Sequence, residues 1–256
     1  MSMALVSLCF AAVFGLANSI WVISAEHVDA LGIIINLSMS PSQLSTYGVM
    51  ELSVAFIPIF LFQILQGAVI YRHFSVAAVY YFSRCDRRRS WFLKECLKIL
   101  PTALAYSLIY FGSGICLGAV SGSLTFSHGF ACLFLIQILL YCLYLFATSI
   151  IVNILSILFG NYKGFVSLVV VQMLLISALL LWENAADYSL LPLNPISHLF
   201  VSWHSSSDAL IDAQINVFNI SFPFWSSFVY LCLMSVIAVA LGGEIVTRVE
   251  ILGDSD

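Results

Sequence analysis

The sequence predicts an all-α integral membrane protein with six transmembrane helices and both termini cytoplasmic. Three observations predict it. Only 9% of the 256 residues are Asp, Glu, Lys or Arg, against roughly 25% in a soluble domain. Mean hydropathy is +1.05, and the 62% of residues that are hydrophobic exceed what a water-facing fold of this size buries. The basic residues are also segregated: seven of the nine Lys and Arg fall between Tyr71 and Lys98.

Six apolar windows have the ~20 residues needed to cross a bilayer core of about 30 Å. The first lies near Met3–Ser24. No positive charge precedes it, the first charged residue is Glu26, and the run exceeds a signal-peptide core, so it reads as a retained span. The second, near Val49–Tyr71, carries Glu51 about one turn from its outer end, either a functional carboxylate or, the plainer account, one that snorkels to the interface. The third, near Ile99–Val120, ends in "GSGICLGAVSG". Gly114, Gly118 and Gly122 therefore share a helix face, suited to close helix packing or to a subunit interface. The fourth, near Gly129–Ile151, continues apolar toward Phe159. The turn "GNYKG" leads to the fifth, near Phe165–Trp182, and the sixth lies near Phe224–Gly242. No internal repeat or linker divides residues 1–256, which read as a single transmembrane domain.

With both ends inside, the inner segments hold all nine basic residues and the outer segments none, which is the positive-inside pattern. All seven cysteines fall in spans or on the inner side, without metal-ligand spacing, and read as small apolar core residues. The outer stretch "WHSSSDALIDAQI" spaces His204, Asp208 and Asp212 by four. On one helix they would share a face, either a cation site or the wet side of an interfacial helix carrying Leu210, Ile211 and Ile215 on its other face.

Several chemistries lack their residues. There is no G-x-x-x-x-G-K-[ST] phosphate loop, no H-E-x-x-H and no G-x-S-x-G, so neither ATP hydrolysis nor enzyme or cofactor chemistry is expected of this chain. No mid-span acid pair or interrupted helix is evident, which weighs against an ion-driven carrier. Gln63 and Gln66, three apart on the second span, are candidates for a translocation path; interhelical hydrogen bonding is the plainer account.

The basic loop has a further feature. Charge alone would orient the chain and hold anionic lipid. Yet "FSVAAVYYFSR" sets an apolar, aromatic run directly before "CDRRRSWFLKE", the composition of a protein interface core. Nothing else supports a nucleic-acid partner. The amphipathic "SWFLKECLKILP" then leads into the third span like an interfacial helix.

Here the chain resembles the permease subunits of type-2 ABC exporters. "VYYFSRCDRRRSWFLKE" is similar to that family's aromatic-Ser-Arg run followed by a basic-aromatic-Lys stretch. "LLPLNPISHLFVSW", with Asn194–Pro195, is similar to the irregular, often re-entrant outer segment between spans five and six. The resemblance implies a short coupling helix carrying Val79, Tyr80, Tyr81, Phe82, Ser83 and Arg84. That helix would dock on separate cytoplasmic ATPase subunits, which would hold the ATP and Mg. It also implies a second permease subunit, identical or similar, in the plasma membrane. ATP binding would move the docked loop and shift spans one, two and five. The size resembles bacterial peptide-export and lantibiotic-immunity permeases. Charge-poor spans suit an amphipathic or hydrophobic cargo, a peptide or lipid-like molecule. A secondary transporter or substrate-binding membrane component, and a non-transporting scaffold or sensor, are the competing readings.

Overall fold

The structure is a computed structural model and describes residues 3–23, 28–38, 55–80, 87–121, 124–182, 188–216 and 222–249. Six helical stretches in it are long and apolar enough to cross a membrane. The first is α1 (Met3–Ile23). Asp29 then caps α2 (Ala30–Leu37), its carboxylate accepting from Leu31 N. The second span is built from α3 (Ile57–Gln66) and α4 (Val69–Tyr80), with Gly67 and Ala68 between them. The third is α5 (Arg88–Val120), the fourth α6 (Phe130–Phe159) and the fifth α7 (Asn161–Trp182). Three short 3-10 turns, Tyr188–Leu193, Ser197–Leu199 and Val201–Trp203, precede α8 (Ala209–Ile215), and α9 (Phe224–Arg248) is the sixth span.

The centre of the bundle is α6. It is apolar on all faces, and it buries residues in nearly every position from Tyr144 to Ile150. Packed along it are α9, α7, α5 and both halves of the second span, while α1 lies along α5. Gly160 ends α6 at φ 98°, a left-handed turn open to glycine, and the chain reverses at once into α7.

Three expectations about the spans need correction. The third helix does not begin at Ile99. Its backbone is helical from Arg88, so "SWFLKECLKILP" is the first part of α5 rather than a separate interfacial helix. Hydropathy marks where a helix meets lipid, not where its hydrogen bonds begin. At 1.5 Å per residue the apolar part, 99–120, covers about 33 Å and the charged part projects about 16 Å beyond it. The second span does not end at Tyr71, since α4 runs on to Tyr80. It is also interrupted, which apolar content alone does not reveal. Of the six described cysteines, Cys9, Cys116 and Cys132 lie on the bundle's exterior, and Cys96 and Cys142 are buried.

The connections at one end are tied together. Val28 and Asp29 pair with Leu124 and Thr125 as a two-residue parallel ladder, and His128 Nε2 meets Asp208 Oδ2 at 3.2 Å. At the other end Arg89 pairs with Glu244 at 3.2 Å and Arg88 donates to the Val249 carbonyl, so the start of α5 is fastened to the end of α9.

Candidate functional site

The interruption of the second span is a built feature. Between Gln66 and Ile70 the helical ladder fails, leaving a carbonyl and two amide N–H groups without helical partners. Asn153 of α6 takes all three. Its Oδ1 accepts from Ile70 N (2.8 Å) and Tyr71 N (3.1 Å), and its Nδ2 donates to the Gln66 carbonyl (3.0 Å). A further donation to the Ser149 carbonyl holds the amide in place. Gly67 permits the approach: a Cβ there would lie 2.6 Å from Val152 Cγ1.

Gln63 and Gln66 flank this break but differ in state. Gln66 donates to Ser7 Oγ of α1 at 3.5 Å, an interhelical bond. Gln63 is fully buried, and neither of its amide atoms has a partner among the described residues. Tyr141 of α6 has the same condition: its ring stacks on Tyr110 at 5.4 Å while its hydroxyl is unpartnered. Leaving a buried polar group unsatisfied costs about 1–3 kcal/mol, so such groups mark places where water or a ligand completes the bonding.

The segment between spans five and six folds back into the bundle. Gln137 of α6 donates to the Leu199 carbonyl at 2.8 Å, and Asn194 donates to the Leu175 carbonyl of α7 at 2.9 Å. Gln137 and Leu175 each lie seven residues from the helix end at this side, about 10 Å in. Residues 191–204 therefore plug the bundle end to a depth of about two turns. Asn194 makes the inward turn by also accepting from Ile196 N at 2.9 Å.

The His204, Asp208 and Asp212 face does not form. α8 begins only at Ala209, so His204 lies outside it and is fully buried, with Nδ1 on the Phe200 carbonyl and Nε2 on Ser227 Oγ. Asp208 caps α8 through Leu210 N, and that bond, with His128 second, holds its carboxyl below the usual range. Asp212 accepts from Ser206 N. Among the described residues no group of three His, Cys, Asp or Glu stands ready for a metal. Of the apolar residues of that stretch, Ile215 is buried, Ile211 packs beside it, and Leu210 is exposed.

Gly114 and Gly118 face inside the chain. A Cβ at Gly114 would lie 2.7 Å from Leu37 Cδ1, and one at Gly118 2.7 Å from Ile33 Cδ1, both on α2. They are packing positions for α2 rather than a surface for another subunit; Gly122 lies outside the described residues. Val79 and Tyr80 close α4 as a direct continuation of the second span. Tyr81, Phe82, Ser83 and Arg84 lie outside the described residues, as does Glu51.

Comparison with protein-family models, with curated proteins and with solved structures returns no match.

Three features escaped the sequence reading. Asn153 is one, and its signal was the "QGA" that interrupts an apolar run of the second span. Glu95, on the charged part of α5, is nearly buried between His73 of α4 and Lys98, with His73 Nδ1 at 2.9 Å. His198 and Ser227 carry no motif, and only the fold brings them together.

Proposed function

We propose that the chain is the membrane-spanning permease subunit of an ATP-driven exporter. The connection after its second span would dock on a separate cytoplasmic ATPase. One observation carries this reading: both limbs of the basic connection are continuous, fastened helices. α4 runs unbroken from Val69 to Tyr80, and α5 resumes at Arg88. His73 on one limb meets Glu95 on the other, and Arg88 and Arg89 tie the second limb to the end of α9. A force applied between them, at Tyr81 to Arg84, would pass into spans two, three and six instead of being lost in a slack loop.

The cargo path would run beside the break in the second span, where Gln63 offers a buried amide without a partner. Its walls are aromatic: Phe62 meets Tyr106 edge-on at 4.8 Å, and Tyr110 stacks on Tyr141. Such a lining suits an amphipathic or hydrophobic cargo. A second permease subunit would complete the pathway in the plasma membrane, both termini cytoplasmic.

Affinity purification of the full chain in mild detergent tests the reading. It should recover an ATPase bearing a phosphate loop, and Tyr81→Ala or Arg84→Ala should cut that recovery while leaving membrane insertion unchanged. Repeated recovery of the chain without any ATPase would remove the energy source and end the proposal. The second reading, an ion-driven carrier, is favoured by one observation, the interrupted span stapled by Asn153. That reading expects transport by the purified chain alone under an ion gradient.

A further inference from the structure

Two imidazoles of the plug segment meet one hydroxyl of the sixth span. His198 Nδ1 lies 2.9 Å from Ser227 Oγ, and His204 Nε2 lies 2.7 Å from the same atom. The remaining nitrogen of each ring faces a backbone carbonyl: His198 Nε2 lies 3.1 Å from Pro192 O, and His204 Nδ1 2.8 Å from Phe200 O. A carbonyl can only accept, so both of these nitrogens carry hydrogen. In a neutral imidazole the other nitrogen is then a bare acceptor. Two bare acceptors thus face a hydroxyl that has one hydrogen to give.

The neutral cluster is one hydrogen short. One of its two nitrogen–oxygen contacts must join lone pair to lone pair. A single added proton removes the conflict. The ring that takes it donates to Ser227 Oγ, and the Ser227 hydroxyl donates to the other ring. From Pro192 O to Phe200 O every donor then has an acceptor, and no bond is formed or broken other than those of the proton itself.

We propose that His198, Ser227 and His204 form a buried proton-binding site, holding one proton between the sixth span and the plug segment.

The surroundings suit a single shared charge. His198 stacks on Tyr230 at 4.1 Å, His204 stacks on Phe224 at 4.3 Å, and Phe222 lies 5.0 Å from each ring. Aromatic faces attract an imidazolium. Tyr230, whose hydroxyl donates to the Leu193 carbonyl, is the titratable group in contact from α9. From α6, Tyr144 lies near Tyr230, and Gln137 bonds the Leu199 carbonyl. From α8 the carboxylates Asp208 and Asp212 are turned to Leu210 N and Ser206 N. Among the described residues no carboxylate pairs with either ring. Burial pushes His198 down to about 4, and burial with the neighbouring His198 ring pushes His204 to about 3, against the raising effect of their carbonyl bonds. The shared bond opposes that push for one proton and not for a second, so the uptake is a property of the pair. Since the rings lie on the plug and the hydroxyl on α9, the proton also fastens the plug. This site does not depend on the exporter reading.

The test uses the full chain in detergent micelles with its histidine side chains labelled with nitrogen-15, and His27, His73 and His128 replaced by Gln. Imidazole nitrogen shifts report charge and tautomer directly. The expected result is one proton taken up by the pair in a single step between about pH 5 and 6.5. Ser227→Ala should lower that midpoint by about one to two pH units, the worth of one charge-assisted hydrogen bond. Ser227→Thr, which keeps the hydroxyl, should restore it. Two rings that stay neutral down to about pH 5 would overturn the proposal, as would a folded Ser227→Ala chain with the unmodified midpoint. If Ser227→Ala does not fold, the titration of the otherwise intact pair decides alone.

Discussion

Asn153 does at one position what a continuous helix does with its own backbone. Its amide satisfies three groups that the break at Gly67–Ala68 sets free inside the bundle. Asn153→Ala would strip them at once, and with about 1–3 kcal/mol for each orphaned group even partial relaxation leaves a loss of about 2–4 kcal/mol. Thermal unfolding in detergent should show a clear drop for Asn153→Ala, and Asn153→Asp, which sets an acceptor oxygen against the Gln66 and Ser149 carbonyls, should not restore it. Equal melting of Asn153→Ala and the unaltered chain would mean that the break needs no staple. The buried histidines give a second prediction at this scale. Their values lie below the ordinary one for histidine, so between about pH 4 and 6.5 the unfolded chain holds more protons than the folded one. Stability is therefore full above about pH 6.5 and declines as pH falls. With one proton shared, the folded pair lags by one proton; without Ser227 it lags by two. Stability measured against pH should fall about twice as steeply in Ser227→Ala, each proton contributing about 1.4 kcal/mol per pH unit. Parallel slopes would contradict the sharing.

Among the elements, α2 depends on two residues that have no side chain. Gly114 and Gly118 let Leu37 and Ile33 sit against the backbone of α5. Gly118→Val would push Ile33 outward, and overpacking of this kind costs about 1–3 kcal/mol. The loss should appear as a lower melting temperature with the oligomeric state unchanged. Loss of oligomer at unchanged melting would return these glycines to a subunit interface. Their spacing was legible in the sequence, but their partner was not, because α2 comes from the first connection, more than seventy residues away. The same division runs through the fold. Six apolar helices were legible because crossing lipid demands a long apolar run. Their ends at Arg88 and Tyr80 were not, because helical hydrogen bonding continues past the apolar stretch and hydropathy is blind to it. An irregular segment before span six, with Asn194 beside Pro195, was expected only from the family resemblance of "LLPLNPISHLFVSW". That His198 and His204 converge on Ser227 was not, since i,i+4 spacing along a supposed helix had joined His204 to Asp208 and Asp212 instead.

At the scale of the whole molecule the contacts sort the chain into two ends without saying which faces the cytoplasm. One end holds His73, Arg88, Arg89, Lys98 and Glu244. The other holds the Val28–Leu124 ladder, His128 and Asp208. Turning the whole bundle over would preserve every one of these contacts, so orientation has to come from charge. Arg87, Arg88, Arg89, Lys94 and Lys98 crowd the first end, while the stretches 28–38, 124–129 and 188–216 contain no Lys or Arg at all. Moving such a basic cluster across a bilayer would be opposed during insertion, so charge alone predicts this end on the cytoplasmic side, where anionic lipid would hold it. Ser90 and Ser207 are both exposed, one at each end, and they report the outcome once the seven native cysteines are replaced. Ser207→Cys should react with a membrane-impermeant maleimide on intact cells. Ser90→Cys should react only after the membrane is opened. The reverse pattern would turn the molecule over and place the Tyr81–Arg84 connection where no cytoplasmic ATPase can reach it. Labelling of both residues on intact cells would mean that the charge asymmetry leaves two orientations populated, and the docking role would then have to be sought in only one of them.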